Sequence, residues 1–292
     1  MSAAPSVLLA SFDLMPYGEA GGELLVRALA ERGVDAAWAR WTDPDVDWSA
    51  ADLVAVRATW DYHRRLSPFL DWARQVDRST RLLNGAEVFA WNADKAYLLE
   101  LAAIGVPVVP TALVDDDTLV AGLAEAFARW GTVVVKPRTG AGGNGVVVAA
   151  KGDLAQLEGL LAGPWAVQPL VESVRTDGES AVVVFDSRAV AQVDKQPGGG
   201  EIRVHEHHGG RTTRVDLDPE RARVAEQAVR DAAALRGADL AYARVDLMQW
   251  EGAWVVSELE LIEPGLYLDV QPEVAQHFAA MVAARLAPSR GA

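Results

Sequence analysis

The chain has 292 residues, 50% hydrophobic and 23% charged, a globular composition long enough for two domains or a few small ones. It contains no cysteine, which excludes a disulfide scaffold, a thiolate nucleophile and cysteine-ligated zinc or iron–sulfur sites. Lysine and arginine number 27 against 41 acids, a formal net charge of −14, so the overall field repels nucleic acid and anionic membranes.

Met1–Ser11 lacks a basic start, and its apolar run is only Val7–Ala10, so no signal peptide is expected. With no apolar stretch of membrane length, the reading is a soluble cytoplasmic protein. Val7–Ser11 predicts a strand, Gly22–Arg32 a helix stopped by Gly33, and Asp52–Arg57 a second buried strand. Pro68–Val76 reads as a helix and Arg81–Asn84 as a third strand, which makes a small β/α unit with a parallel sheet. Six of the ten tryptophans lie at or before Trp91; such clusters are usually core, and a minority line substrate pockets. Asp94–Ile104 is a helix ended by Gly105 and Pro107, and Thr118–Trp130 is another. Val133–Pro137 and Gly145–Ala149 are β-branched runs, Leu154–Leu161 a helix and Trp165–Pro169 a strand. Strands then follow at Ala181–Phe185, Val190–Lys195, Ala241–Trp250 and Trp254–Leu261. Helix Pro219–Arg236, capped by Asp218, interrupts them, and Glu273–Leu286 is the last helix. The expected fold class is mixed α/β, or α+β.

Gly140, Gly142 and Gly145 match G-x-G-x-x-G, with Gly143 between them. A dinucleotide fold needs a helix after that motif, but Val146–Val148 is a strand, and no Gly-Lys-Ser/Thr follows. The segment is therefore a hairpin loop whose amides can cover phosphates, with Lys136 at the end of the preceding strand. An ordinary turn-glycine loop is the plainer alternative.

Glu258 and Glu260 are two apart on a strand and share a face. The turn Glu251-Gly252-Ala253 brings Asp246 beside them. Three carboxylates on one cavity repel one another, and a hard divalent cation would neutralise them. A solvated strand face suits the glutamates but leaves Asp246 unexplained.

The order Lys95, Lys136 before the glycine loop, Gln168-Pro169-Leu170-Val171, Asp246 and Glu258-x-Glu260 resembles the ATP-grasp superfamily of carboxylate ligases, glutathione synthetase among them. The resemblance implies an ATP-grasp fold of three subdomains, with ATP held between two α+β units. Their expected bounds are 1–92 for the N-terminal β/α domain, 93–171 for the lid subdomain and 172–292 for the subdomain with the metal site. It implies that Lys95, Lys136 and the loop glycines Gly140, Gly142 and Gly143 contact the ATP phosphates. Gln168, Pro169, Leu170 and Val171 would frame adenine, with the Val171 amide donating, and Glu179 would bind ribose. Asp246, Glu258 and Glu260 would hold magnesium, two ions being expected; family members often carry asparagine at the last position. Arg203, in Gly199-Gly200-Glu201-Ile202-Arg203, would stabilise charge on the transferring phosphoryl group and the acyl phosphate, with Lys195 as a second cation.

A narrower resemblance, to the cycloserine synthetase branch, rests on Arg57-Ala58-Thr59-Trp60-Asp61-Tyr62, on Trp91-Asn92-Ala93-Asp94-Lys95 with Tyr97-Leu98, and on Glu258 to Pro264. It implies an O-ureido-serine cyclo-ligase of antibiotic biosynthesis. Arg57, at the C-terminal end of a parallel strand, either pairs with a substrate carboxylate or forms a structural ion pair. Tyr62 and His63 are further candidates in that loop. His205, His207 and His208 have no remote histidine at metal spacing, so they are read as a substrate-facing loop, with His205 touching substrate.

The reading is an ATP- and magnesium-dependent, ADP-forming ligase. It would activate a small-molecule carboxylate as an acyl phosphate for attack by a nitrogen, intramolecular in the narrower case. An intermolecular amino-acid or peptide ligase and a catalytically silent ATP-binding regulator are the alternatives. No nucleic-acid or membrane partner is expected, and a homodimer is an open option by analogy.

Overall fold

The computed structural model describes residues 4–152, 157–158, 160 and 162–287. The helix expected over Leu154–Leu161 lies largely outside the described residues.

Three sheets organise the chain. The first contains β1 (Ser6–Ser11), β2 (Asp35–Arg40), β3 (Leu53–Val56) and β4 (Arg81–Leu82) in the order β2-β1-β3-β4, all parallel. Its crossovers carry α1 (Glu23–Ala30) and α2 (Leu66–Ser79). β3 is buried at all four positions, as its continuous apolar run predicts. β2 was not expected: Asp-Ala-Ala-Trp-Ala-Arg has little strand propensity, and six residues of parallel pairing to β1 hold it at the sheet edge. Trp41, Trp48 and Trp72 pack around Phe69 behind this sheet, so this tryptophan cluster is core.

Two short helices, α3 (Ala86–Asn92) and α4 (Tyr97–Ala103), lead into the second sheet. It contains β5 (Ala112–Val114), β6 (Thr132–Pro137), β7 (Val147–Ala150) and β8 (Trp165–Pro169), ordered β5-β8-β6-β7 and antiparallel, with α5 (Leu119–Trp130) against it. β6 and β7 pair as a hairpin, so the glycine loop joins two strands as expected.

The third sheet is antiparallel, ordered β11-β10-β9-β12-β13. Its strands are β9 (Glu179–Phe185), β10 (Arg188–Gln196), β11 (Arg211–Val215), β12 (Tyr242–Trp250) and β13 (Ala253–Glu260). Helix α6 (Pro219–Arg236) begins as predicted: the Asp218 carboxylate accepts from the amides of Glu220 and Arg221, with Pro at the first turn. Helix α7 (Val274–Leu286) returns to the first unit. Phe278 and Val282 share one core with Val7 of the first sheet, Leu25 and Leu29 of α1, and Val183 and Phe185 of the third sheet. Each such buried side chain contributes about 1.5–3 kcal/mol, so α7 holds the first and third sheets against each other.

β13 is an edge strand, and its outer backbone groups are claimed by side chains. The Asn92 amide donates to Leu259 O at 2.7 Å and accepts from the Leu261 N–H at 2.8 Å, and Tyr97 Oη accepts from the Leu259 N–H at 2.9 Å. Further along, Val109 N–H donates to Val256 O at 2.9 Å and Val256 N–H to Pro107 O at 2.8 Å. The β13 edge is thus bonded at Val256, Leu259 and Leu261 without a neighbouring strand, and the side chains between these bonds are held in place.

Candidate active site

A cleft of about 780 Å³ opens between the second and third sheets and reaches the loops of the first. Lys95, Lys136, Gly140, Gly142, Gly143, Gln168, Pro169, Leu170, Val171, Glu179, Lys195, Arg203, His205, Asp246, Glu258, Glu260 and Tyr62 all line it. Residues spread over most of the sequence therefore face one space.

The carboxylate wall is built by strand register. Asp246 stands opposite Glu258, and Arg244 opposite Glu260, across β12 and β13. A bulge at Asp246/Leu247 leaves Ser257 extra, and its hydroxyl bonds to Asp246 O and Glu179 Oε2, each at 3.1 Å. The carboxylates are neutralised as expected, but side-chain cations that the sequence reading had not placed there take part. Arg244 Nε and Nη2 bind the two Asp246 oxygens at 2.8 and 2.9 Å, and Nη2 also binds Glu260. Lys195 Nζ lies between Asp246 Oδ2 at 2.9 Å and Glu179 Oε1 at 2.5 Å. Lys95 Nζ pairs with Glu258 Oε1 at 2.8 Å. The protein's own cations thus supply the charge that a metal was invoked to supply. Arg244 was missed; its place two residues before Asp246 on the same strand face was the available signal.

Charge states follow from these contacts. Burial opposes ionisation of Asp246, but Arg244 and Lys195 outweigh it and hold the carboxyl well below its usual range. Desolvation also works against Glu258, yet Lys95 and Lys136 bring it down to about 2. Burial, joined by Asp246 and Glu258, pushes Glu260 up to about 7, with Arg244 opposing. Burial lowers the Lys136 pKa; its ammonium makes no ion pair among the described residues and faces the cleft.

Among the described residues, no three His, Asp or Glu side chains form a ready metal cradle. The donor chemistry nonetheless fits magnesium, which takes few protein carboxylates and completes its shell with water and phosphate oxygens. Glu258 and Glu260 keep 32% and 27% of their side chains exposed in the cleft, while Asp246 keeps 4%. The two glutamates are therefore the open oxygen donors, and Asp246 is the anchored one.

The glycine loop lies over this wall. Gly142, Gly143 and Gly145 all have positive φ, at 65°, 69° and 73°. At Gly143 an added Cβ would stand 3.2 Å from His205 Nδ1 and 3.4 Å from Arg203 Cδ, so the loop packs directly on the 203–205 segment. His207 Nε2 is 3.0 Å from Gly142 O and ties the two loops together. His205, His207 and His208 cluster here, with His207 and His208 ring centres 4.1 Å apart. Arg203 projects from the same segment and pairs with Glu201 at 2.5 Å.

At the other end, Leu170 N–H is taken by Thr132 O at 3.0 Å, while Val171 N–H has no partner among the described residues. Glu179 lines the cleft, with Lys195 on one of its oxygens and Ser257 on the other.

Arg57 requires correction. It is wholly buried and does not line the cleft. It donates to Pro264 O at 2.5 Å, pairs with Glu19 at 3.8 Å, and lies over the rings of Tyr242 and Phe278. The structural alternative holds, and the buried pair joins the first sheet to the segment after β13. His63 likewise lies outside the lining, whereas Tyr62 and Trp60 face the cleft.

Two comparisons with known families match this layout in order. Residues 7–84 match the D-cycloserine synthetase DcsG N-terminal domain, and residues 92–269 the RimK-like ATP-grasp domain. The chain is 33% identical over 282 residues to the cycloserine biosynthesis protein DcsG of Streptomyces lavendulae, covering 90% of this chain and 93% of that one. The crystal structure of D-cycloserine synthetase DcsG superposes with a TM-score of 0.86 at 30% identity, covering 97% and 100% of the two chains. D-alanine–D-alanine ligase of Bacillus anthracis shares the fold, with a TM-score of 0.69 at 13% identity over 98% of each chain. No helix among the described residues is long and apolar enough to cross a membrane. The chain belongs to the ATP-grasp family, with a RimK-like ATP-grasp domain, and is an ADP-forming ligase that makes carbon–nitrogen bonds.

Proposed function

We propose that this enzyme activates the carboxylate of a small amino acid as an acyl phosphate and closes a ring by attack of a nitrogen from the same molecule. O-ureidoserine is the proposed substrate and cycloserine the product. The observation that carries this reading is the meeting of Lys95, Lys136, Lys195, Arg203 and the carboxylate wall on one cleft. Similarity to a cycloserine biosynthesis protein through both the N-terminal and the ATP-grasp segments supports the narrower reading.

Lys136 meets the ATP phosphates as a cation that has no internal partner to give up. Lys95 reaches both Glu258 and, at 3.5 Å, Gly140 O, so it couples the glycine loop to the wall. Gln168 to Val171 frame adenine, with the open Val171 N–H as donor. Glu258, Glu260 and Asp246 hold magnesium, proposed as two ions; when bound, it supplies positive charge against the phosphates. Arg203 and Lys195 stabilise charge that develops on the transferred phosphoryl group and the acyl phosphate. Lys195 is fixed for this by Glu179 and Asp246 on either side. The bond from His207 to Gly142 keeps the loop closed, which excludes water from a hydrolysable intermediate.

ATP gives ADP and the acyl phosphate. The ring then closes as the oxygen-bound nitrogen attacks the acyl carbon and phosphate leaves, and water cleaves the carbamoyl group from that nitrogen as carbamate, which gives carbon dioxide and ammonia. The proposed bounds of 1–92, 93–171 and 172–292 each hold one of the three sheets, with α7 packing back on the first. The test is ADP release from O-ureidoserine with no added amine. Release that needs a second substrate makes the enzyme an intermolecular ligase and removes the ring-closing reading. Asp246→Ala and Glu258→Ala are each expected to abolish magnesium-dependent turnover; full activity in both would overturn the metal assignment.

A further inference from the structure

We infer that Glu263 selects the substrate by binding its ammonium group, so that the cleft takes an amino acid in preference to the same acid without its amine. The inference rests on the reading that this cleft activates a carboxylate substrate.

Glu263 lies three residues beyond β13 and lines the cleft, with only 7% of the residue exposed. Of the other acids that line the cleft, Glu206 and Asp269 are exposed to solvent, and the rest have partners. Glu179 and Asp246 share Lys195, Glu258 has Lys95, and Glu260 has Arg244. Glu19, which also faces the cleft, accepts from the Leu266 N–H at 2.8 Å. Glu263 makes no salt bridge among the described residues, and its carboxylate meets only its own backbone N–H.

The unpaired state is built in, because the backbone around Glu263 cannot move to find a cation. Trp60 Nε1 donates to Glu263 O at 3.0 Å, and Arg57 Nη2 donates to Pro264 O at 2.5 Å. The nearby guanidiniums are committed elsewhere. Arg57 engages Glu19 and two carbonyls through its terminal nitrogens, leaving only its buried Nε without a partner, and Arg244 engages Asp246 and Glu260. Burial, then the charge of Glu260, pushes the Glu263 carboxyl well above its ordinary range, with Arg244 opposing. A buried carboxyl without a cation is costly, and a ligand that brings the cation removes the cost.

The surroundings suit an ammonium and not a metal. Trp60, Tyr62 and Tyr267 line the same cleft and present aromatic surface, which attracts a cation. An ammonium on Glu263 would leave the substrate carboxylate free to turn toward the lysines. Glu263 is thus a specificity-determining residue that acts by direct contact.

The experiment compares matched acids that differ only in the amine. O-ureidoserine and 3-(ureidooxy)propanoate form one pair; serine and 3-hydroxypropanoate form another. ADP release is measured with hydroxylamine as trap for wild type and Glu263→Gln, with ATP affinity as the control for folding. Wild type is expected to favour the amine-bearing member of its productive pair by about 10- to 100-fold in kcat/KM, carried mainly in KM. Glu263→Gln is expected to lose most of that preference while still binding ATP. Equal use of both members by wild type overturns the assignment, as does a folded variant that keeps the preference. Amine-dependent turnover of serine without turnover of O-ureidoserine would remove the ring-closing reading and leave this one standing. If no acid releases ADP, calorimetric binding of the same pairs with a non-hydrolysable ATP analogue decides. Amine-dependent binding lost in Glu263→Gln supports the assignment, and equal or absent binding overturns it.

Discussion

The side-chain amide of Asn92 does the work of a neighbouring strand for Leu259: it donates to the Leu259 carbonyl at 2.7 Å and accepts from the Leu261 N–H at 2.8 Å. Glu258 and Glu260 flank Leu259, so a residue at the end of α3 sets the position of two cleft carboxylates. Asn92→Ala would leave both backbone groups buried without partners, at about 1–3 kcal/mol each. We expect a loss of about 2–4 kcal/mol in urea unfolding, with turnover falling further than stability explains. An unchanged unfolding midpoint would show that Tyr97, Pro107 and Val109 hold the edge without Asn92.

Lys195 is buried between Glu179 and Asp246, with 3% of its side chain exposed. Lys195→Met removes the cation and leaves two buried carboxylates facing each other. We expect about 3–5 kcal/mol of destabilisation, because an uncompensated buried charge costs more than the pair contributes. Unfolding monitored with and without saturating MgATP checks this. Stability equal to wild type would mean that Arg244 alone neutralises the site.

Val171 has φ −79°, which proline accepts, and its N–H has no partner inside the protein. Val171→Pro should leave folding intact and weaken ATP binding by roughly 3- to 10-fold, the net worth of one hydrogen bond. Calorimetric titration with ATP is the measurement. Undiminished affinity in the folded variant would remove Val171 from the adenine contacts.

His205 gives a pH signature. Burial, then the charges of Lys195 and Arg244, push its pKa down to about 4 from an ordinary 6.5, and its Nδ1 is buried without a partner. Between these values the unfolded chain binds a proton that the folded chain refuses. Stability therefore falls as pH drops from about 6.5 to about 4 and is insensitive to this group above that window. His205→Gln should remove about 1–3 kcal/mol of this pH dependence. Denaturant unfolding of both proteins across the window tests it; a pH-independent difference between them would contradict a neutral His205.

Much of the site was legible because its chemistry depends on residue type and order. Lys136 before a glycine hairpin, Gln168 to Val171, and the alternation from Glu258 to Glu260 mark the cleft, and all of them line it. Arg57 shows the limit. Its place at the end of a parallel strand suited a ligand contact and an internal pair equally, and only the packing of Tyr242, Phe278 and Pro264 around it decided. Arg244 was overlooked because one arginine in a strand looks the same whether it meets solvent or two carboxylates. The strands β2 and β11 were overlooked for a related reason. As edge strands with mixed composition, they owe their existence to the partner strand and not to a local pattern.

By itself, the sequence determined the fold class, the strand–loop–strand context of the glycines, and the set of cations and acids available for phosphate chemistry. These follow from local periodicity and residue chemistry, which neighbours in the chain already contain. The tertiary structure alone decided which acid meets which cation. That Lys195, Lys95 and Arg244 are spent on four carboxylates while Glu263 keeps none is a matter of strand register, one bulge and two anchored carbonyls. Electrostatic pairing depends on distances of a few ångströms between residues far apart in the chain, and only folding sets those distances.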